Sequence, residues 1–245
     1  MQQRHTDIIN LVNEKGRASV GEMSNKLGVS EVTIRHDLNK LEKEGFIRRV
    51  HGGATPHNTD NVSHRITVNY EHKRKMAMCA ASLVEHGETV MIEGGSANAL
   101  LAKELGKRSD VTIITPSSYI AHLMKETDVK IIVLGGLYQH ESESMVGTLT
   151  RLCIKHTHFT KAFLGIDGLH PNTGFTSRNM MRADVGVAIL EKGAQNIVIT
   201  DSSKFGQVHN TPLYQFEQVD MVITDEDASL EYVNLLEQHN IKVIK

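Results

Sequence analysis

Two sets of residues in this 245-residue chain have types and spacings that could do chemistry. The first runs from Ser30, Val32, Thr33, Arg35 and His36 through Asn39 and Lys40 to Arg48, Arg49 and His51. Guanidinium, ammonium, imidazole and amide groups gathered in one stretch supply donors for phosphate oxygens and for the polar edges of bases. The second set is three short turns: Glu93-Gly94-Gly95-Ser96-Ala97-Asn98, Gly165-Ile166-Asp167-Gly168 and Asp201-Ser202-Ser203-Lys204-Phe205-Gly206. Glycine lets backbone N–H groups approach an anion. A following helix adds the positive end of its dipole, and a lysine adds a full charge.

The first set needs a helix pair to present it. Ser19 and Glu22 form an S-x-x-E capping box that starts one helix; Val20, Met23 and Leu27 recur at helical spacing, and Gly28 stops it. Ser30 can cap a second helix with Ile34, Leu38 and Leu41 on its inner face. Val32, Arg35, His36, Asn39 and Lys43 then face outward or flank, and Gly45 ends the helix. An earlier helix over Gln2 to Glu14 would pack Ile8, Leu11 and Val12 against the pair. So short a link suits helix-turn-helix recognition, in which the second helix enters the major groove of double-stranded DNA. A plain helical hairpin with solvated charges has the same spacing. The next segment, FIRRVHGGATP, tips the balance: alternating apolar and basic residues end at Gly52-Gly53, as in a two-stranded wing. Arg35, Arg48 and Arg49 are then expected on phosphates, and Val32, Thr33 and His36 at base edges.

The turns need a sheet. After a polar stretch over 57–70, read as a linker, a helical pattern restarts near Glu71. From Thr89 onward the runs TVMIE, VTIIT, KIIVL, KAFLGID, NIVIT, MVITD and KVIK alternate with helical ones such as ANALLAKEL, YIAHLMKE and SLEYVNLLEQ. This predicts a mostly parallel sheet covered on both faces, with ligands at its carboxyl edge. Each turn also has a plainer reading: EGGSAN as an ordinary strand-to-helix turn, Lys204 as a surface lysine, Asp167 as a loop cap. EGGSAN matches neither a Walker A loop nor G-x-G-x-x-G.

SEVTIRHDLNKLEKEGFIRRVHGGA resembles the winged helix of the DeoR family of bacterial sugar-responsive transcriptional repressors. The family has a basic residue where this chain has His36, a change that bears on operator preference. The order EGGSAN, TPS, LGG, GIDG, DSSKFG and MVITD extends the resemblance to the family's effector domain, itself similar to ribose-5-phosphate isomerase-type sugar-phosphate folds. The resemblance implies an α/β protein: a winged helix-turn-helix over 1–56, the linker, and an effector-binding and oligomerisation domain over 71–245. It further implies a phosphorylated sugar or related small anionic metabolite held by Gly94, Gly95, Ser96, Asn98 and Lys204, with Asp167 nearer the sugar. Departures are Glu93 and Ala97, where the family's loop reads Asp-x-Gly-Ser/Thr-Thr. Another is the basic run Ser177 to Arg182, where acidic residues are usual; Arg178 and Arg182 either add anion contacts or lie on a helix surface.

The competing reading is a sugar-phosphate isomerase-like enzyme with a helical appendage. Such chemistry needs a base beside the carbonyl, and the resembling isomerases carry a close acidic pair near GIDG. Leu169 and His170 supply no second acid beside Asp167, so no catalytic residue is assigned.

Composition agrees. Net charge is −2, with nine Lys/Arg against seven Asp/Glu over residues 1–57 and eighteen against twenty-two beyond. Cys79 and Cys153 form no C-x-x-C pair and are expected as buried free thiols in a reducing cytoplasm. No signal peptide or membrane span is read. His156 and His158 give an H-x-H spacing without a partner motif, so neither metal nor cofactor is expected. Paired half-sites would match a homo-oligomer, dimer or tetramer.

Overall fold

A computed structural model describes residues 3–56 and 61–245. The chain divides into two compact units, residues 1–70 and 71–245.

In the first unit, α1 spans Gln3–Lys15, one residue later than expected at each end, followed by β1 (Ala18–Ser19), α2 (Val20–Leu27) and α3 (Glu31–Lys43). The local signals act as their chemistry requires. Ser19 Oγ accepts from Glu22 N while Glu22 Oε2 accepts from Ser19 N, closing the capping box on α2. Gly28 ends α2 in the left-handed region at φ 65°, and Ser30 Oγ accepts from Thr33 N to cap α3. The wing is β2 (Ile47–Val50) paired antiparallel with β3 (Gly53–Pro56). A third strand was not expected: β1 pairs with β3, placing Ser19 opposite Gly53. Gly53 permits this, because a Cβ there would collide with the Ala18 carbonyl. Ile8, Ile9, Ile34, Leu38, Leu41 and Ile47 are buried in one core. Burial of each such side chain contributes about 1.5–3 kcal/mol relative to exposure. The stretch read as a linker contains a short helix, α4 (Val62–Arg65), capped by Asn61 and with Val62 buried; residues 57–60 lie outside the described residues.

The second unit begins within α5 (Tyr70–Ser82) and then alternates β4 (Thr89–Ile92), α6 (Ser96–Leu105), β5 (Thr112–Thr115), α7 (Ser118–Leu123) and β6 (Lys130–Val133). A hairpin follows, β7 (Leu137–Gln139) with β8 (Ser144–Val146), then α8 (Thr148–Lys155) and β9 (Lys161–Leu164). Next come β10 (Gly168–His170), β11 (Gly174–Ser177), α9 (Met180–Leu190), β12 (Gln195–Ile199), β13 (Thr211–Tyr214), β14 (Met221–Ile223), α10 (Leu230–Gln238) and β15 (Lys242–Ile244). Seven strands form one parallel sheet in the order β15-β14-β12-β9-β4-β5-β6, while β10, β11 and β13 form a small antiparallel sheet. Central strands are buried along nearly their whole length, whereas the edge strand β6 is largely exposed. From β4 the chain moves outward to β5 and β6, then returns to the other side of β4 as β9 and proceeds to β12, β14 and β15. The order therefore reverses between β4 and β9, and that crevice at the carboxyl edge is where open α/β sheets take ligands.

Candidate functional site

The outer face of α3 carries the residues expected at DNA. Ser30, Val32, Arg35, His36, Asn39 and Lys40 are exposed and Thr33 is half-buried. Val32 stands 74% exposed, a large apolar side chain at the start of a helix that has no need of it outside the core. Such a group suits a thymine methyl. Arg35 Nη2 lies 2.6 Å from Glu31 Oε2 and Lys40 Nζ 4.0 Å from Glu44 Oε1.

The wing separates its two arginines. Strand alternation turns Arg48 outward, while Arg49 reaches back to α3: its N–H donates to Glu42 Oε1 at 2.9 Å and its Nη1 to Asn39 Oδ1 at 2.5 Å. Arg49 thus fixes the wing against α3, a contact that the sequence reading, which assigned Arg48 and Arg49 chiefly to phosphates, did not include. His51 is exposed in the turn, and its carbonyl accepts from Arg17 Nη2 at 3.2 Å. Another unforeseen feature is the buried Asp37 on the inner side of α3. It accepts from Arg4 Nε at 2.6 Å and Arg4 Nη2 at 3.2 Å, and its Oδ1 lies 3.2 Å from His5 Nε2. Burial pushes this carboxyl up, but the Arg4 and His5 contacts outweigh it and hold it below the usual range. The pair ties α1 to the back of α3.

In the second unit the three turns follow β4, β9 and β12, which are adjacent strands, so all three stand on the same carboxyl edge beside the reversal point. Gly95, at φ 93°, precedes α6 and makes no side-chain cap; the first intrahelical bond recorded there is Ala99 N to Gly95 O. Gly147 opens α8 in the same way, so an open helix start is not distinctive by itself. What distinguishes the first turn is its surroundings. Ser96 and Asn98 are buried. Asn98 Nδ2 donates to Gly94 O at 3.0 Å and Phe163 O at 3.2 Å, while among the described residues its buried Oδ1 has no donor. Glu93 Oε2 accepts from Gly165 N at 2.9 Å, bridging the first two turns.

Asp167 is buried, and its Oδ2 accepts from Ser177 Oγ at 3.1 Å and Arg178 N at 3.0 Å and lies 3.5 Å from Arg182 Nη2. It therefore does loop-capping work, the plainer of the two readings made from sequence. Arg182 is largely buried beside it, whereas Arg178 is exposed, with its Nε 3.4 Å from His209 Nε2. Lys204 is half-buried at the end of a single 3-10 turn, Ser202–Lys204. Beneath it, Asp201 is buried 3.8 Å from Lys73 Nζ. Burial raises the Asp201 carboxyl, but Lys73, Lys204 and the Ser203 hydrogen bonds together hold it below its ordinary value. Lys73 escaped the sequence reading although a signal exists: it occupies the first position of the stripe Lys73, Met76, Ala77, Ala80, whose members are all buried. Cys79 and Cys153, expected as buried thiols, are free but only partly buried.

A DeoR-like helix-turn-helix domain model matches residues 4–59, and a DeoR C terminal sensor domain model matches residues 68–226, more than half of the chain. The chain belongs to the DeoR family. The family consists of transcriptional regulators, not enzymes, and the two matched regions carry the winged helix and the parallel sheet from β4 through β14. The lactose phosphotransferase system repressor of Streptococcus mutans is 31% identical over 91% of this chain and 92% of its own length. The glycerol-3-phosphate regulon repressor of Escherichia coli is 29% identical over 98% of this chain and 97% of its own. Among solved structures, ribose 5-phosphate isomerase A from Methanocaldococcus jannaschii aligns over 56% of this chain and 55% of its own, at 22% identity and a TM-score of 0.42. Among the described residues, no helix of this DeoR-family regulator is long and apolar enough to cross a membrane.

Proposed function

We propose that this DeoR-family protein is a cytoplasmic repressor of carbohydrate-metabolism genes, released from or held on its operator by a phosphorylated sugar or a related small anionic metabolite. The observation that carries the effector half is the placement of the three turns on adjacent strands beside the sheet's reversal point. There Gly94, Gly95, Ser96 and Asn98 offer backbone and side-chain groups, and Lys204 offers charge. Asp167 acts by holding the second turn and Arg182 in place. The names of the two repressors, one of a lactose phosphotransferase system and one of a glycerol-3-phosphate regulon, support the ligand class.

On operator DNA, Arg35, Lys40, Arg48, Arg49 and His51 serve phosphates, while Ser30, Val32, Thr33, His36 and Asn39 serve the groove. A homo-oligomer, dimer or tetramer, presents two winged helices to paired half-sites. The effector shifts DNA affinity only to the extent that it binds the operator-competent and incompetent states differently.

The test is operator binding by fluorescence anisotropy across a panel of pentose, hexose and triose phosphates, with isothermal calorimetry on each active compound. Lys204→Ala should weaken the active compound while leaving operator affinity in its absence unchanged. Asp167→Ala, which releases the second turn and Arg182, should also weaken the active compound. An active compound bound equally well by wild type and Lys204→Ala would refute the assigned site, and a panel with no effect on operator affinity would refute the ligand class.

A further inference from the structure

The end of β14 carries a cluster that neither proposed site uses. His72 near the start of α5, Asp225 just beyond β14 and Asp227 two residues later each offer one ligand atom, and these atoms all lie within 4.8 Å of one another. His72 Nδ1 and Asp227 Oδ2 are 3.7 Å apart. Donor atoms bound to one zinc ion at about 2.0–2.2 Å lie roughly 3–4 Å from each other, so a modest rotation of two accessible side chains closes the shell.

The third ligand is already fixed. Asp225 is 5% exposed; its Oδ2 accepts from Ser202 N at 2.6 Å, and its Oδ1 accepts from Ser202 Oγ at 2.8 Å and Asp227 N at 3.0 Å. Donors behind a carboxylate orient it in the way that outer-shell partners orient metal ligands. Independently of this cluster, the same residues face space. A cavity of about 130 Å³ is lined by His72, Met76, Cys79, Thr224, Asp225 and Asp227. Thr224 is 1% exposed, and among the described residues its hydroxyl has no hydrogen-bond partner. Two lysines also line the cavity, but both are engaged: Lys75 Nζ is 3.0 Å from Glu226 Oε1, and Lys245 Nζ donates to Ala228 O at 2.7 Å. With three carboxylates against two ammoniums, the lining keeps one negative charge.

We propose that His72, Asp225 and Asp227 bind a divalent transition-metal ion of the zinc class, with water or a further ligand in the cavity completing its shell. An imidazole with carboxylates and a nearby thiol suits that class better than calcium or magnesium, which take oxygen alone. The ion fastens α5 to the end of β14. It also shares Asp225 with Ser202, two residues before Lys204, and so bears on the turn that carries that lysine. The ligands lie about 150 positions apart in sequence, so no short spacing motif announces them.

The experiment is a zinc titration against a competing chelator, using metal-stripped full-length protein. Wild type should take up one tight equivalent per chain, and His72→Ala and Asp227→Ala, which each remove a ligand, should each weaken it by at least the roughly 10- to 100-fold that loss of an outer-shell partner costs. The double substitution His156→Ala/His158→Ala, which changes an exposed histidine pair outside the cluster, should leave it unchanged. Cobalt(II) should give the visible d–d absorption of a low-coordinate site in wild type and lose it in His72→Ala. Zinc should raise the thermal midpoint of wild type by mass action and leave that of the double variant His72→Ala/Asp227→Ala unmoved. Far-UV circular dichroism checks that this variant folds, which the accessibility of both side chains favours. Absence of tight uptake by wild type, equal uptake by the double variant, or loss of uptake in the His156/His158 variant would each overturn the proposal.

Discussion

Arg48→Ala isolates one phosphate contact. Among the described residues its guanidinium makes no hydrogen bond or ion pair, unlike Arg35 on Glu31 and Arg49 on Asn39, and it is exposed on β2. Truncation should therefore change stability by no more than about 0.5 kcal/mol, so altered DNA binding is not a folding effect. Arg35→Ala lacks this clarity, because it also leaves the Glu31 carboxylate uncompensated beside the DNA. A charge-assisted hydrogen bond at the weak end of its range, about 1.4 kcal/mol, is about tenfold in affinity. Losing one phosphate also makes the slope of log K against log[salt] shallower by about 0.9. A tenfold loss at about 50 mM salt should thus shrink to about threefold at about 200 mM. The assay is fluorescence anisotropy over a salt series on a selected operator duplex and a random duplex, with equal losses expected on both. Unchanged affinity and slope on both would show that the wing does not carry this phosphate contact. A loss confined to the operator would show that Arg48 reads bases instead.

Four other substitutions test the winged helix. Asp37→Asn should cost about 2–3 kcal/mol, since it strips charge from a buried acceptor of Arg4 and His5. Because the folded carboxyl is held below its ordinary value, its contribution is full above the unfolded pKa of about 3.9 and is lost as pH falls through the folded value. Urea midpoints between about pH 3 and pH 6 should accordingly fall more steeply for wild type than for Asp37→Asn. Gly53→Ala should destabilise by about 1–3 kcal/mol, because the new Cβ meets the Ala18 carbonyl and Ser19 Cα, backbone atoms that cannot rotate aside. Gly52→Ala, at φ 75° but in open space, should cost about 1–2 kcal/mol from backbone strain alone; thermal unfolding compares the two. His36→Ala should redistribute base preference by about 1–3 kcal/mol at one position without changing the salt slope, as read by binding to a panel of single-base-pair operator variants.

The elements that could be read in advance are those whose physics is local. The Ser19–Glu22 capping box, the Ser30 cap and the Gly28 stop act within four residues of themselves, so composition and spacing suffice to place α2 and α3. The strands of the parallel sheet were legible for a related reason: buried on both faces, they read as short runs led by one polar residue and otherwise apolar, such as TVMI and NIVI. Lys73 marks the border of that legibility. Its position in a buried helical stripe was visible, but its partner Asp201 lies 128 positions away.

By itself, then, the sequence determined two domains of recognisable type, the outward face of α3 and three turns at strand ends, because periodicity and turn chemistry depend on near neighbours. Only the tertiary structure decided the strand order that reverses between β4 and β9 and sets the three turns on adjacent strands. It alone joined Arg4 and His5 to Asp37, turned Arg49 away from Arg48, and engaged Asp167 with Ser177 and Arg182. It also brought His72 to Asp225 and Asp227. The Asp37 contacts and the His72 cluster depend on residues more than thirty positions apart in the chain, and the others on elements packed against one another. Which distant groups meet is set by how the elements bury their apolar faces together, a property of the packed whole that no window of sequence contains.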